Sequence, residues 1–191
     1  LKIVDVELNG TNGGSFAVTA AHQGNRNIPV NHAAIDELLQ AEVAAGLHTM
    51  MPYLDFAQRA EFHSNMLVEK LQSLKADGKR ILGLGASTKG NVILQYAGIG
   101  PDMLDAISDV NPDKWGCVTP GTHIPIVPED VARSMKPDYF LVLPWHFREG
   151  IIQREAEFLA GGGKLIFPLP EVEIVSATEV VNLEAEFRKA S

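Results

Sequence analysis

Arg80-Ile81-Leu82-Gly83-Leu84, then Gly85-Ala86-Ser87-Thr88-Lys89-Gly90-Asn91, then Val92-Ile93-Leu94-Gln95-Tyr96: this stretch decides the fold. A short apolar run, a glycine-rich turn and a longer run with helical spacing form the opening of a βα unit. The alternation then repeats. Apolar runs at residues 104–109 and 124–127 precede a helix opened by Pro128-Glu129-Asp130, and Asp138-Tyr139-Phe140-Leu141-Val142-Leu143 is the next strand. A helix through Ile151, Ile152, Ala156 and Phe158 leads to Gly161-Gly162-Gly163 and the strand Lys164-Leu165-Ile166-Phe167. Short apolar strands alternating with helices predict a Rossmann-like parallel α/β sheet, helices on both faces, over residues 79–170.

Upstream of this domain the pattern is helical. Asn31 can cap a helix carrying Ala34, Ile35, Leu38, Leu39 and Val43 on one face, ending near Gly46. Pro52 suits the first turn of a longer helix closed by Gly78. Its expected core face is Phe56, Ala60, His63, Leu67, Leu71 and Leu74. Residues 31–78 therefore read as a helical connector packed against the α/β domain. Residues 1–30 read as a β-hairpin around Asn12-Gly13-Gly14-Ser15 and a polar linker. A lone hairpin is marginal in water, so these strands are expected to belong to a sheet built mostly upstream. Residues 171–191 form a C-terminal extension, in which Ser176 and Glu179 have capping-box spacing for a last helix over 178–189.

The 191 residues are 46% hydrophobic, enough for one good core and a small satellite. Sixteen basic residues against 24 acidic ones give a net charge of −8, which argues against non-specific nucleic-acid binding. A small anion needs only a local positive field and a few backbone N–H groups, so it is compatible with this charge. No apolar run is long enough to span a membrane, and a signal peptide is not expected from the opening residues. The expected compartment is the cytoplasm, and the missing initiator Met hints at a piece of something longer. A single cysteine, Cys117, excludes an internal disulfide framework and a cysteine-based zinc site.

In doubly wound sheets, ligands sit beyond the carboxyl ends of the strands, where strand order reverses, so the turns at that edge carry the functional reading. Small residues in the Gly85–Asn91 stretch let a ligand approach the backbone, and the following helix offers N–H groups to an anion. Ser87, Thr88 and Asn91 add side-chain donors, Lys89 adds charge, and Gly90 keeps the turn open. Any tight βα turn also favours glycine, and the spacing matches neither G-x-G-x-x-G nor a Walker A loop. Asp109, with Asn111 and Lys114 in the next turn, lies 24 positions after Gly85, close to the spacing of a ribose-binding acid. A solvated Asx turn accounts for it equally well. Thr122 and His123 sit in the proline-bounded loop Thr119-Pro120-Gly121-Thr122-His123-Ile124-Pro125, suited to ligand contact or to plain structure. Trp145 and His146 follow the strand that should face the Gly85 turn, where an indole can stack on a base or sugar. The remaining histidines show no metal spacing, and no Ser/His/Asp order appears. Binding loops are recognisable; a catalytic set is not.

These four turns, in order and closed by Gly163-Lys164-Leu165-Ile166-Phe167-Pro168-Leu169-Pro170, resemble the C-terminal domain of the sugar C-methyltransferase family. The hairpin also resembles the end of that family's central SAM-binding domain. The resemblance implies a parent enzyme that uses SAM, bound mainly by the upstream domain, to methylate carbon in a nucleotide-linked deoxysugar. It implies that Ser87, Lys89, Asn91, His123 and His146 contact the substrate while catalysis is performed upstream, so the present segment alone should be inactive. Its expected partners are the nucleotide sugar and the upstream domain. Ala17 stands where the family often has Arg, which bears on whether the substrate is the usual sugar. Two other readings fit the residues: an NAD(P)-binding oxidoreductase domain, and a non-catalytic interaction module.

Overall fold

In the computed structural model, residues 1–11 and 14–178 are described. Lys2–Asn9 (β1) and Ser15–Ala21 (β2) pair as an antiparallel two-stranded sheet. Asn31 caps the helix His32–Ala44 (α1) as its spacing predicts, with its Oδ1 accepting from Ala34 N–H at 3.3 Å. The Asn31 amide also donates to Asp5 Oδ1 at 3.0 Å, and its backbone N–H donates to the Val4 carbonyl, which ties α1 to β1. A longer helix, Met51–Ala76 (α2), comes next. Two compact units result, Leu1–Ala60 and Glu61–Ser191, and their boundary falls inside α2.

The second unit holds the expected parallel sheet. Its strands are Ile81–Leu84 (β3), Ile107–Ser108 (β4), Ile126–Val127 (β5), Tyr139–Val142 (β6), Lys164–Phe167 (β7) and Glu173–Val175 (β8). Between them lie the helices Thr88–Ala97 (α3), Glu129–Ser134 (α4), Arg148–Arg154 (α5) and Ala156–Ala160 (α6). Strand order is β5-β4-β3-β6-β7-β8, parallel throughout except for β8. Because side chains alternate along a strand, two cores form. Ile81, Ile107, Tyr139, Leu141 and Ile166 pack with Leu67, Leu71 and Leu74 of α2 and Leu94 of α3. Leu82, Leu84, Phe140, Val142, Leu165 and Phe167 pack on the other face with Ala132 of α4, Ile151 and Ile152 of α5 and Leu159 of α6. Each fully buried leucine or isoleucine here stabilises the fold by roughly 1.5–3 kcal/mol.

Four details differ from expectation. Helix α3 begins at Thr88, so half of the expected turn is its first helical turn. The helix expected through 151–158 is two, divided at Glu155, whose buried carboxylate binds Arg133 and Arg154. Strand β8 has no counterpart among the expected elements; three residues after a proline-rich stretch give too short a signal, and antiparallel pairing with β7 supplies what propensity does not. In α2 only Leu67, Leu71 and Leu74 of the expected core face are buried, while Phe56 is 65% exposed. Periodicity reports which residues share a face but not whether anything covers it. Residues 179–189 of the expected last helix, and Asn12 and Gly13 of the hairpin turn, lie outside the described residues.

Candidate functional site at the strand-order reversal

Strand β3 sits where the sheet changes direction: its successor β4 lies on one side and β6 on the other. The loops leaving β3 and β6 therefore diverge and open a crevice between them. Gly85 begins the first loop with φ 78°, a left-handed backbone that favours glycine. A Cβ there would also stand 2.9 Å from the Pro144 ring, so the loops leaving β3 and β6 approach closely at this position. Ser87 then caps α3, its Oγ accepting from Gly90 N–H at 3.0 Å. At Gly90 a Cβ would sit 2.3 Å from Leu143 Cβ. The missing side chain lets α3 approach the end of β6.

Asp109 directly follows β4, with its side chain only 7% exposed. Its Oδ2 accepts from Ala86 N–H at 2.7 Å and from Lys114 Nζ at 3.1 Å, while Oδ1 accepts from Asn111 N–H at 2.8 Å. Lys114 Nζ also donates to the Ala86 carbonyl at 3.0 Å, and Trp115 Nε1 donates to the Asp109 carbonyl at 2.7 Å. A single carboxylate thus braces the loops after β3 and β4 against each other. Asn111 caps the short 3-10 turn Pro112–Lys114, its Oδ1 accepting from Asp113 N–H at 3.0 Å.

Two clefts flank this brace. One, of about 450 Å³, is lined by Gly85, Ser87, Ser108, Asp109, Asn111 and Lys114 on one side, and by Pro144, Phe147, Ile151, Glu129 and Arg154 on the other. The second, of about 310 Å³, runs between α3 and the β4–β5 edge and includes Ser87, Thr88, Asn91, Lys114 and Cys117. Ser87 and Lys114 belong to both. Of the residues singled out in the sequence, Ser87, Thr88, Asn91, Asp109, Asn111 and Lys114 are brought together here.

The others stand apart from those linings. Lys89 lies over the Trp145 ring, Nζ 5.9 Å from its centroid, on the rim where α3 meets the 3-10 turn Trp145–Phe147. The His146 ring packs 4.2 Å from Phe147 and 5.5 Å from Trp145, centroid to centroid. Burial, reinforced by the Lys89 charge, holds the His146 pKa below the usual histidine value and favours neutral imidazole. Its Nδ1, Trp145 Nε1 and Asn91 Oδ1 are buried without a hydrogen-bond partner among the described residues. Thr122 Oγ1 is spent on Thr119 Oγ1 at 2.6 Å, and His123 has φ 58° in a loop that Gln95 Nε2 ties to α3 through the Pro120 carbonyl. Glu129 and Arg154 line the cleft although no motif marks them, and Phe147 lines it directly after Trp145 and His146 in the turn following β6. Glu129 opens α4 and Arg154 closes α5, and the two pair at 3.1 Å, a contact between residues 25 positions apart that spacing does not signal.

No group of three or more metal-ligating side chains occurs among the described residues, and no helix among them is long and apolar enough to cross a membrane. Residues 10–170 match the family model described as the C-methyltransferase C-terminal domain. The chain is also 36% identical over 180 residues to the C-methyltransferase NovU of Streptomyces niveus, covering 93% of this chain and 42% of that protein. It thus spans less than half the length of this relative. With a match that runs from the turn of the hairpin through the whole parallel sheet to the cis Leu169–Pro170 bond, the chain belongs to the C-methyltransferase C-terminal domain family.

Proposed function

We propose that this chain is the substrate-holding C-terminal portion of a SAM-dependent C-methyltransferase that acts on a nucleotide-linked deoxysugar. The observation that carries the reading is the convergence of the Ser87-capped start of α3, Asn111 and Lys114 on one cleft at the strand-order reversal. A helix start and a cation favour the phosphates of such a substrate. On the rim, Trp145 offers an aromatic surface, and neutral His146 suits a sugar oxygen better than a second charge would.

The same residues favour SAM less than a phosphate-bearing ligand. An adenosine cofactor in a fold of this kind uses the acid after the second strand to accept from the ribose hydroxyls. Here that acid is Asp109, already engaged by two backbone N–H groups and an ammonium. In this reading, as the family resemblance implies, the cofactor is bound mainly by the part of the parent enzyme upstream of this domain, which also supplies the base that removes the proton beside a keto group. The same engaged carboxylate weighs against the NAD(P)-binding alternative. What this chain contributes is binding and orientation, and proximity alone can lower a barrier by several kcal/mol.

Calorimetry with dTDP and a dTDP-sugar tests the reading. The wild-type chain should bind in the micromolar to millimolar range, and Lys89→Ala should weaken binding several-fold through loss of one cation at the rim. No binding of either ligand at millimolar concentration overturns it.

A further inference from the structure

Glu155 stands between α5 and α6 with its side chain 0% exposed. A carboxylate removed from water destabilises a fold unless cations and donors replace its hydration. Two guanidiniums do so here. Arg133 Nη2, from α4, donates to both oxygens, at 2.8 and 3.1 Å, and Arg154 Nε, from α5, donates to Oε1 at 3.1 Å. Arg154 Nη2 lies 3.1 Å from that same oxygen and 3.1 Å from Glu129 Oε1. The four side chains form one chain of ion pairs, and its Glu129–Arg154 end lines the cleft that Lys114 also lines. Lys114 is set in the same manner, by the buried carboxylate of Asp109. The two acids that hold Arg154 are not equivalent. Glu155 is enclosed and bound by Arg133 as well, so it stays where it is. Glu129 is 31% exposed, and water can solvate its carboxylate once it leaves the guanidinium.

We propose that Arg154 is a second phosphate-binding cation of this cleft, and that Glu129 is its resident counter-ion, displaced when a diphosphate binds. The proposal rests on the reading of the cleft as a nucleotide-sugar site and adds the group that recognises the second phosphate. Lys114, Arg133 and Arg154 stand against Asp109, Glu129 and Glu155, so the paired charges cancel. An anion meets a net positive partner only when Glu129 turns out. Glu155 then keeps the guanidinium in place, its fork preorganised for phosphate oxygens. Lys114 and the start of α3 serve one phosphate; Arg154, on a different element, serves the other. The exchange makes the cleft selective, because a ligand with a single phosphate does not replace the Glu129–Arg154 pair it would break. Glu155 is a positioning residue in this scheme, and Arg154 is the one that touches the ligand.

Calorimetry of this 191-residue chain with dTDP, dTMP and inorganic pyrophosphate tests the proposal, using Arg154→Gln, Glu129→Gln and the double variant. Arg154→Gln should weaken dTDP and pyrophosphate about tenfold, the loss of one charge-assisted contact, while dTMP binding changes much less. Glu129→Gln should strengthen dTDP and pyrophosphate about threefold, the worth of a partly exposed ion pair. Damaged folding does not produce such a gain. In the double variant the gain should vanish, because Glu129 acts through Arg154. Unchanged binding by Arg154→Gln overturns the proposal, and so does a Glu129→Gln gain that survives without Arg154. Wild-type dTDP binding with either of those results leaves the nucleotide reading standing. Pyrophosphate binding with the expected variant effects, but no dTDP binding, defeats the nucleotide reading and supports the cation exchange. No binding of either ligand at millimolar concentration overturns both.

Discussion

Asp109 accepts three hydrogen bonds with two oxygens and so joins the loop after β3 to the loop after β4. Removing it leaves Ala86 N–H and Asn111 N–H without these acceptors in a mostly buried setting, and Lys114 without its carboxylate. Asp109→Ala should therefore cost about 2–3 kcal/mol in urea unfolding, and the loss should be accompanied by weaker nucleotide binding. Gly90 offers a test in which two principles oppose each other. Within a helix, Gly→Ala ordinarily stabilises by about 1 kcal/mol, but here the added methyl would run into Leu143 at 2.3 Å from its Cβ and 3.0 Å from its Cα. Backbone cannot retreat as a flexible side chain can. Gly90→Ala should destabilise by roughly 1–3 kcal/mol, seen as a lowered thermal midpoint. These residues are legible in the sequence as members of edge turns; their duties are not. A sequence names an Asp near a ribose-binding spacing, yet which donors have already claimed its oxygens depends on residues 23 positions apart coming within 2.7 Å.

At the scale of elements, the strongest sequence signals are the runs buried on both faces. Strands β3, β6 and β7 read directly because a parallel strand inside two layers of helix is apolar at nearly every position. Strands β4 and β5, two residues each, sit inside longer apolar runs, which place them correctly but overstate their length. For helix α2 the sequence locates the element and misjudges its surroundings. Its C-terminal half packs on the sheet through Leu67, Leu71 and Leu74, whereas its N-terminal half leaves Phe56 and Leu54 uncovered. The two halves should differ sharply in their response to truncation. In this chain Leu71→Ala should cost about 2–5 kcal/mol, and Phe56→Ala should change stability by no more than about 0.5 kcal/mol. Chemical unfolding of both variants checks the contrast.

For the whole molecule, fold class and family emerge from the order of four edge turns, because a doubly wound sheet gathers its loops at one edge however far apart they lie in the chain. Which loops share a cleft does not emerge from that order. The sheet brings Ser87, Asn111 and Lys114 together with Glu129 and Arg154, while His123 and His146 stand outside that lining. In the proposed division of labour, this domain presents a nucleotide sugar at the strand-order reversal to chemistry performed by another part of the enzyme. Backbone amide chemical shifts of the 20.7 kDa chain, titrated with dTDP, test that claim most directly. Saturable shifts concentrated at residues 85–91, 109–114 and 145–147 are expected. Shifts confined to the first unit or spread without focus, or no shifts at millimolar dTDP, would contradict the claim.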